Sequence, residues 1–117
     1  MKLRFRKNSL RLRLNQREVS AVAGGGSVEE RVHFPGGTAL VYRLVPGAAA
    51  AFDASVEGST ITVSVPRGML EEWEQNEEIG LYHQAGALEI AIEKDLECVE
   101  ARAEERDPYA FPRKAAC

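Results

Sequence analysis

ITVSVPRGMLEEWEQNEEIGL, residues 61–81, laid over LRLRLNQREVSAVAGGGSVEE, residues 10–30, at an offset of 51 matches strand pattern to strand pattern and helix pattern to helix pattern. Leu14 falls on Val65, Val19 on Leu70, Val22 on Trp73 and Val28 on Ile79. Both stretches begin with alternating apolar and polar residues, which suits a half-buried strand, and pass into a short segment of helical period. The chain therefore reads as two strand-strand-helix-strand-strand units in tandem, about residues 2–45 and 50–95.

The flanking segments complete each unit. KLRFR at 2–6 sets Leu3 and Phe5 against Lys2, Arg4 and Arg6, and LRLRL at 10–14 repeats the alternation with Leu10, Leu12 and Leu14 against Arg11 and Arg13. Asn15 and Glu18 have the spacing of a capping box, which predicts a helix over 16–23, ended by Gly24, Gly25 and Gly26. VEERVHF, the turn PGG and TALVYRLV form a hairpin with Val28, Val32 and Phe34 expected inward. In the second unit AAFDASV, a turn at Glu57 and Gly58, and TITVSV give two strands. Pro66 opens a helix whose Met69, Leu70 and Trp73 share one face, and EIGLYH, the turn QAG and ALEIAIE close the unit.

A chain of 117 residues that is 44% hydrophobic has room for one domain with a real core. It contains no apolar run of membrane-spanning length, and its cationic start lacks an apolar signal region, so a cytoplasmic protein is expected. Cys98 and Cys117 lack the dense spacing of secreted disulfide scaffolds, which favours reduced thiols. The net charge is -3, yet seven of the 15 cations (Lys2, Arg4, Arg6, Lys7, Arg11, Arg13 and Arg17) precede the first acid, Glu18. Thirteen of the 18 acids fall between Glu71 and Asp107, so charge is segregated along the chain. Two uses of the basic opening follow: attraction to the acidic half within the fold, or contact with an external polyanion.

KNSLRLRLNQREV followed by a short helix, and ITVSVPRGMLEEWEQNEEIGLYHQAGALEIAIEKD, resemble the swapped-hairpin barrels of the AbrB and MazE type over about residues 2–95. The opening MKLRFRKNSLRLRL with IEKDLEC also resembles a group of small bacterial proteins of uncharacterised function. The first resemblance implies a mainly β fold with two short helices, in which the tandem units form one swapped-hairpin-like barrel that family members usually build from two chains. It further implies duplex DNA as a partner, with Arg4, Asn8, Ser9 and Arg13 at matching positions, Arg and Lys on phosphates and polar groups setting register; the whole basic opening, Arg4, Arg6, Lys7, Asn8, Ser9, Arg11 and Arg13, is then the expected contact surface. Three departures stand out. Lys7 replaces the Gly that usually precedes Asn-Ser, Asn15 replaces a Pro that the second unit keeps as Pro66, and Arg11 and Arg13 have Thr62 and Ser64 as counterparts, so half of a two-faced footprint is missing.

Motifs of catalysis are missing. There is no nucleophile elbow, HExxH or phosphate-cradling P-loop, and AGGG at 23–26 follows a helix instead of opening one. His33 and His83 each precede a hairpin turn but fall on opposite kinds of strand face. No enzyme activity and no cofactor are expected. The tail, residues 96–117, differs in composition: Pro108, Pro112 and several acids predict an extended segment that packs Tyr109 and Phe111 on the barrel. Cys98 among carboxylates is a weak metal candidate, because one thiolate with flexible acids does not fix a coordination geometry. The sequence thus points to a non-enzymatic binding module, monomer or homodimer. It is either a nucleic-acid-binding regulator using the basic strands or a protein-interaction or metal-linked accessory protein using the acidic tail and Cys98.

Overall fold

The computed structural model of the chain describes residues 1–96 and 108–112. The strand-strand-helix-strand-strand order occurs twice: β1 (Lys2–Arg6), β2 (Ser9–Leu14), α1 (Gln16–Ala23), β3 (Val28–His33), β4 (Ala39–Gly47), then β5 (Asp53–Glu57), β6 (Thr60–Pro66), α2 (Arg67–Gln75), β7 (Gly80–Ala85) and β8 (Leu88–Lys94). The first sheet has the order β1-β2-β8-β7 and the second β3-β4-β6-β5. Each sheet therefore takes one hairpin from each unit. Within hairpins the strands are antiparallel, whereas the exchanged partners at the centre, β2 with β8 and β4 with β6, run parallel.

The mainly β class and the exchange of hairpins agree with the sequence reading; the closed barrel does not. Among the described residues no ladder joins an edge of one sheet to an edge of the other, so two four-stranded sheets face each other with open edges. The edge strands β1 and β5 have five residues each, and Phe5 and Val56 near their ends are 57% and 71% exposed.

One apolar cluster lies between the sheets. Leu10, Leu12 and Leu14 from β2 and Ile90 and Ile92 from β8 meet Leu44 from β4 and Ile61, Val63 and Val65 from β6. Strict alternation along β2 and β6 produces this, since every second residue must point the same way. Val19 and Val22 of α1 and Leu70 and Trp73 of α2 complete the cluster, as the offset of 51 implies. Three inward assignments need correction. Val32 and Phe34 are exposed because the tip of the β3–β4 hairpin, with Val32 opposite Leu40, runs past the first β6 pair at Thr60 and Val41, and Met69 is 40% exposed because the buried stripe of α2 is only as wide as Leu70 and Trp73.

Helix α1 begins where the sequence places it. The Asn15 side chain accepts from the Glu18 backbone N–H at 2.9 Å, and Glu18 Oε1 accepts from the Asn15 N–H at 2.9 Å, a cap that contributes about 1 kcal/mol. The second oxygen of Glu18 accepts from the Met1 ammonium, which also donates to Glu30 Oε1 at 3.0 Å, while the Tyr42 hydroxyl donates to the Met1 carbonyl at 3.0 Å. Glu18 thus ties β1, α1 and, through Glu30, β3 to one buried cation. Helix α2 has no side-chain cap; Pro66 supplies the fixed φ of a helix entry, and Trp73 Nε1 donates to the Glu78 carbonyl at 3.0 Å.

Tyr109 and Phe111 are 92% and 96% exposed, so neither ring packs on the sheets as expected. Cys98 and Cys117 lie outside the described residues. Among the described residues no helix is long and apolar enough to cross a membrane.

The ammonium network carries a pH signature. Burial alone would lower the Met1 pKa, but the hydrogen bonds and charges of Glu18 and Glu30 outweigh it and hold the value above the ordinary 8.0. A pKa raised by folding stabilises below the unfolded value and loses that contribution as pH rises through the folded value. Glu18→Gln keeps the capping bond to Asn15 but removes the charge. Urea midpoints of wild type and Glu18→Gln should differ most at about pH 6 to 7, and the difference should shrink as pH rises past the ordinary ammonium value of 8.0.

Candidate functional site

Alternation that turns the leucines of β2 inward turns its cations outward, and the register sorts the outer face of the first sheet into three rows. Lys2, Arg13, Glu93 and Gly80 form one; Arg4, Arg11, Ala91 and Tyr82 the next; Arg6, Ser9, Glu89 and Gln84 the third. The face is open and concave. A cavity of about 740 Å³ lies over the second and third rows and the adjoining turns. Arg4, Arg6, Lys7, Asn8, Ser9 and Arg11 all line it, so six of the seven residues assigned from sequence converge, and Arg13 does not. Tyr82, Glu89 and Ala91 also line it and were not foreseen.

The second sheet explains why the first is hollow. There Thr62 and Ser64, the counterparts of Arg11 and Arg13, pair with Arg43 and Val45, as Arg11 and Arg13 pair with Ala91 and Glu93. Arg43 lies across its neighbour, with Nε donating to Thr62 Oγ1 at 2.9 Å. The equivalent position in the first sheet is Ala91, whose single methyl leaves the floor low between the arginines and Tyr82.

Glu93 has no exposed surface although it sits on the outer face. Arg13 Nε donates to Oε1 at 3.4 Å, Arg11 Nη1 lies 3.6 Å from the same oxygen, and the Tyr82 hydroxyl donates to Oε2 at 2.7 Å. Desolvating a carboxylate costs several kcal/mol, which two guanidinium groups and a phenol offset here. Arg11 and Arg13 are consequently only 18% and 22% exposed, where free alternation leads one to expect side chains extended into solvent. Lys2 likewise meets an acid of the second unit, Asp95, at 2.8 Å.

The β1–β2 turn has its own geometry. Lys7 adopts φ 51°, the left-handed region that costs a residue with a Cβ roughly 1–2 kcal/mol. Its counterpart at the offset of 51 is Gly58, with φ 57°. The first unit therefore carries a cation where the second uses the residue the turn prefers. Asn8 Nδ2 donates to the Ala87 carbonyl at 2.6 Å and ties the turn to the β7–β8 hairpin, while Ser9 Oγ donates to the Arg6 carbonyl at 2.6 Å and closes the turn on itself.

The histidines stay apart, as alternation implies: His33 is exposed on β3, and His83 points inward and stacks on Phe52 with ring centroids 5.1 Å apart. Among the described residues no group of three or more His, Cys, Asp or Glu side chains has the arrangement of a metal site.

The chain belongs to a family of unknown function (DUF7009), whose model matches residues 1–114. No curated protein matches it.

The contrast between the two sheets yields a stability test. Arg11→Thr with Arg13→Ser strips Glu93 of both cations and should cost about 3–5 kcal/mol in urea unfolding. Adding Glu93→Val copies the pattern of the second sheet and should restore most of that loss, because no buried charge then remains.

Proposed function

We propose that this member of the family is a cytoplasmic, non-enzymatic binding module that holds nucleic acid on the outer face of its first sheet. The observation that carries this reading is the convergence of Arg4, Arg6, Lys7 and Arg11 on one open concavity, from two strands and the turn between them. Guanidinium and ammonium groups at strand spacing suit a phosphodiester backbone, whose charges recur along a line; neutralising them releases counterions and supplies affinity without regard to sequence. The likeness of the strand-turn-strand opening to AbrB- and MazE-type proteins supports the same assignment. Lys7 supports it independently, since a left-handed lysine is a cost to folding that a binding contact explains. The four cations that line the concavity, Arg4, Arg6, Lys7 and Arg11, are the ones assigned to the ligand, with Arg11 also 3.6 Å from Glu93.

Four phosphate contacts give a slope of log affinity against log salt of roughly -3 to -4 on duplex DNA, and Arg4→Gln with Arg6→Gln should flatten it by about two. A wild-type protein that binds no nucleic acid at low salt would sink the reading.

Lys7→Gly separates function from stability. Relief of the left-handed strain outweighs the added freedom of glycine in the unfolded chain, so the variant should be about 0.5–1 kcal/mol more stable by urea unfolding. It should also bind duplex DNA more weakly, and a variant that gains stability at unchanged affinity would remove Lys7 from the interface.

A further inference from the structure

Tyr82 stands on β7 opposite Ala91, yet its hydroxyl donates to Glu93, one row further along the sheet. Same-face residues two apart on a strand are separated by about 6.6–6.8 Å, close to the full reach of a tyrosine side chain, so the ring must run along the strand instead of standing away from it. Gly80 makes this possible. A Cβ at Gly80 would meet Tyr82 Oη at 2.5 Å and Cζ at 2.7 Å, so the hydroxyl end of the ring occupies space that any other residue would fill. The ring is thereby laid down, anchored at its far end, and still 58% exposed along the wall of the cavity. Beside it the floor is the methyl of Ala91, and beyond that stand Arg11 and Arg4.

We propose that this cavity takes an unpaired nucleotide, its base stacked on Tyr82 above Ala91 and its phosphate held by Arg4 and Arg11. An immobilised aromatic ring next to a row of cations is the arrangement that single-stranded nucleic acid requires, because every base has a π-face and every linkage a charge. A base inside a duplex is already stacked on both sides and cannot use the ring. The inference rests on the nucleic-acid reading above and narrows it from backbone contact to a strand with at least one base exposed. The same chemistry is offered by a free nucleotide, and the two sources are separable by size.

The test uses the full chain with three probes under one low-salt buffer: a single-stranded DNA 10-mer, the same sequence as a duplex, and deoxyadenosine monophosphate. Wild type should bind the single strand at least tenfold more tightly than the duplex. Tyr82→Ala should weaken single-strand binding by about 10- to 100-fold and leave duplex affinity and its salt slope unchanged, while Tyr82→Phe, which keeps the ring, should stay within about threefold of wild type. NMR gives a readout independent of affinity: stacking should move the Tyr82 ring protons upfield on addition of the 10-mer. Tyr82-dependent binding of the mononucleotide at comparable affinity would identify a free nucleotide as the ligand, and binding of the 10-mer alone would identify a strand. If Tyr82→Ala leaves single-strand affinity unchanged, or weakens strand and duplex equally, the stacking site is wrong although backbone binding stands. Absence of salt-dependent binding to either polymer would instead overturn both readings.

Discussion

The parallel pairing of β2 with β8 is the constraint on which the rest of the molecule depends. It brings together residues as far apart as Arg13 and Glu93, 80 positions along the chain, and sets Leu10 and Leu12 beside Ile90 and Ile92 in the core. Because side chains alternate, the register that buries these apolar residues also fixes what lies opposite the arginines on the outer face. A slip of one residue would put Arg11 and Arg13 into the core. Neither unit can complete a sheet alone, so folding of the two halves is coupled through this ladder and its counterpart, β4 with β6.

The two sheets share one skeleton and differ in what they carry on it. The second covers its outer face with Thr62, Ser64, Val45 and Arg43, which need little beyond ordinary strand packing. The first places a buried carboxylate, two arginines, a tyrosine and a cavity at the same positions. Since the fold tolerates in one half an outer face with a single arginine and no buried acid at these positions, the buried ion cluster in the other is not demanded by architecture. Buried ion pairs are seldom a net gain in stability over apolar side chains of similar size. What Glu93 does provide is position: it holds the planes of Arg11 and Arg13 at one edge of the concavity and the Tyr82 hydroxyl at another.

Local order was legible in the sequence because it follows from periodicity and from residues with one strong preference. The β2 and β6 alternations, the Asn15 and Glu18 cap, and the helix spans 16–23 and 67–75 needed no tertiary information. The offset of 51 also identified the buried helix residues Val19, Val22, Leu70 and Trp73. What alternation alone does not give is how far a hairpin runs past the next strand, and the tip of β3–β4, with Val32 opposite Leu40, extends beyond the first β6 pair at Thr60 and Val41, so Val32 and Phe34 lie exposed. The basic half of the site was readable for the same reason as β2. Its other half was not: Gly80, Tyr82, Ala91 and Glu93 look like unremarkable positions of a hairpin until β8 is placed beside β2, and no local rule specifies that neighbour. Glu93 in particular reads as a solvated acid, and only the parallel register shows that two arginines cover it.

Part of the charge segregation along the chain is resolved within the first sheet itself. Lys2, Arg11 and Arg13 meet acids from the end of the second unit, Asp95 and Glu93, so part of the basic opening is drawn to the acidic half as simple attraction would have it. Those contacts lie along one row and its border. Arg4, Arg6 and Lys7 line the cavity in the next two rows and the adjoining turn, together with Glu89 from the row of Arg6. Attraction to these acids does not by itself account for a lysine in a left-handed turn, because another cation raises repulsion among its neighbours and this one also strains the backbone. Glu93 at one side and the left-handed Lys7 turn at the other give the face a polarity, and the row of Arg4, Arg11, Ala91 and Tyr82 lies between them, where the register sets a low apolar floor beside two guanidinium groups.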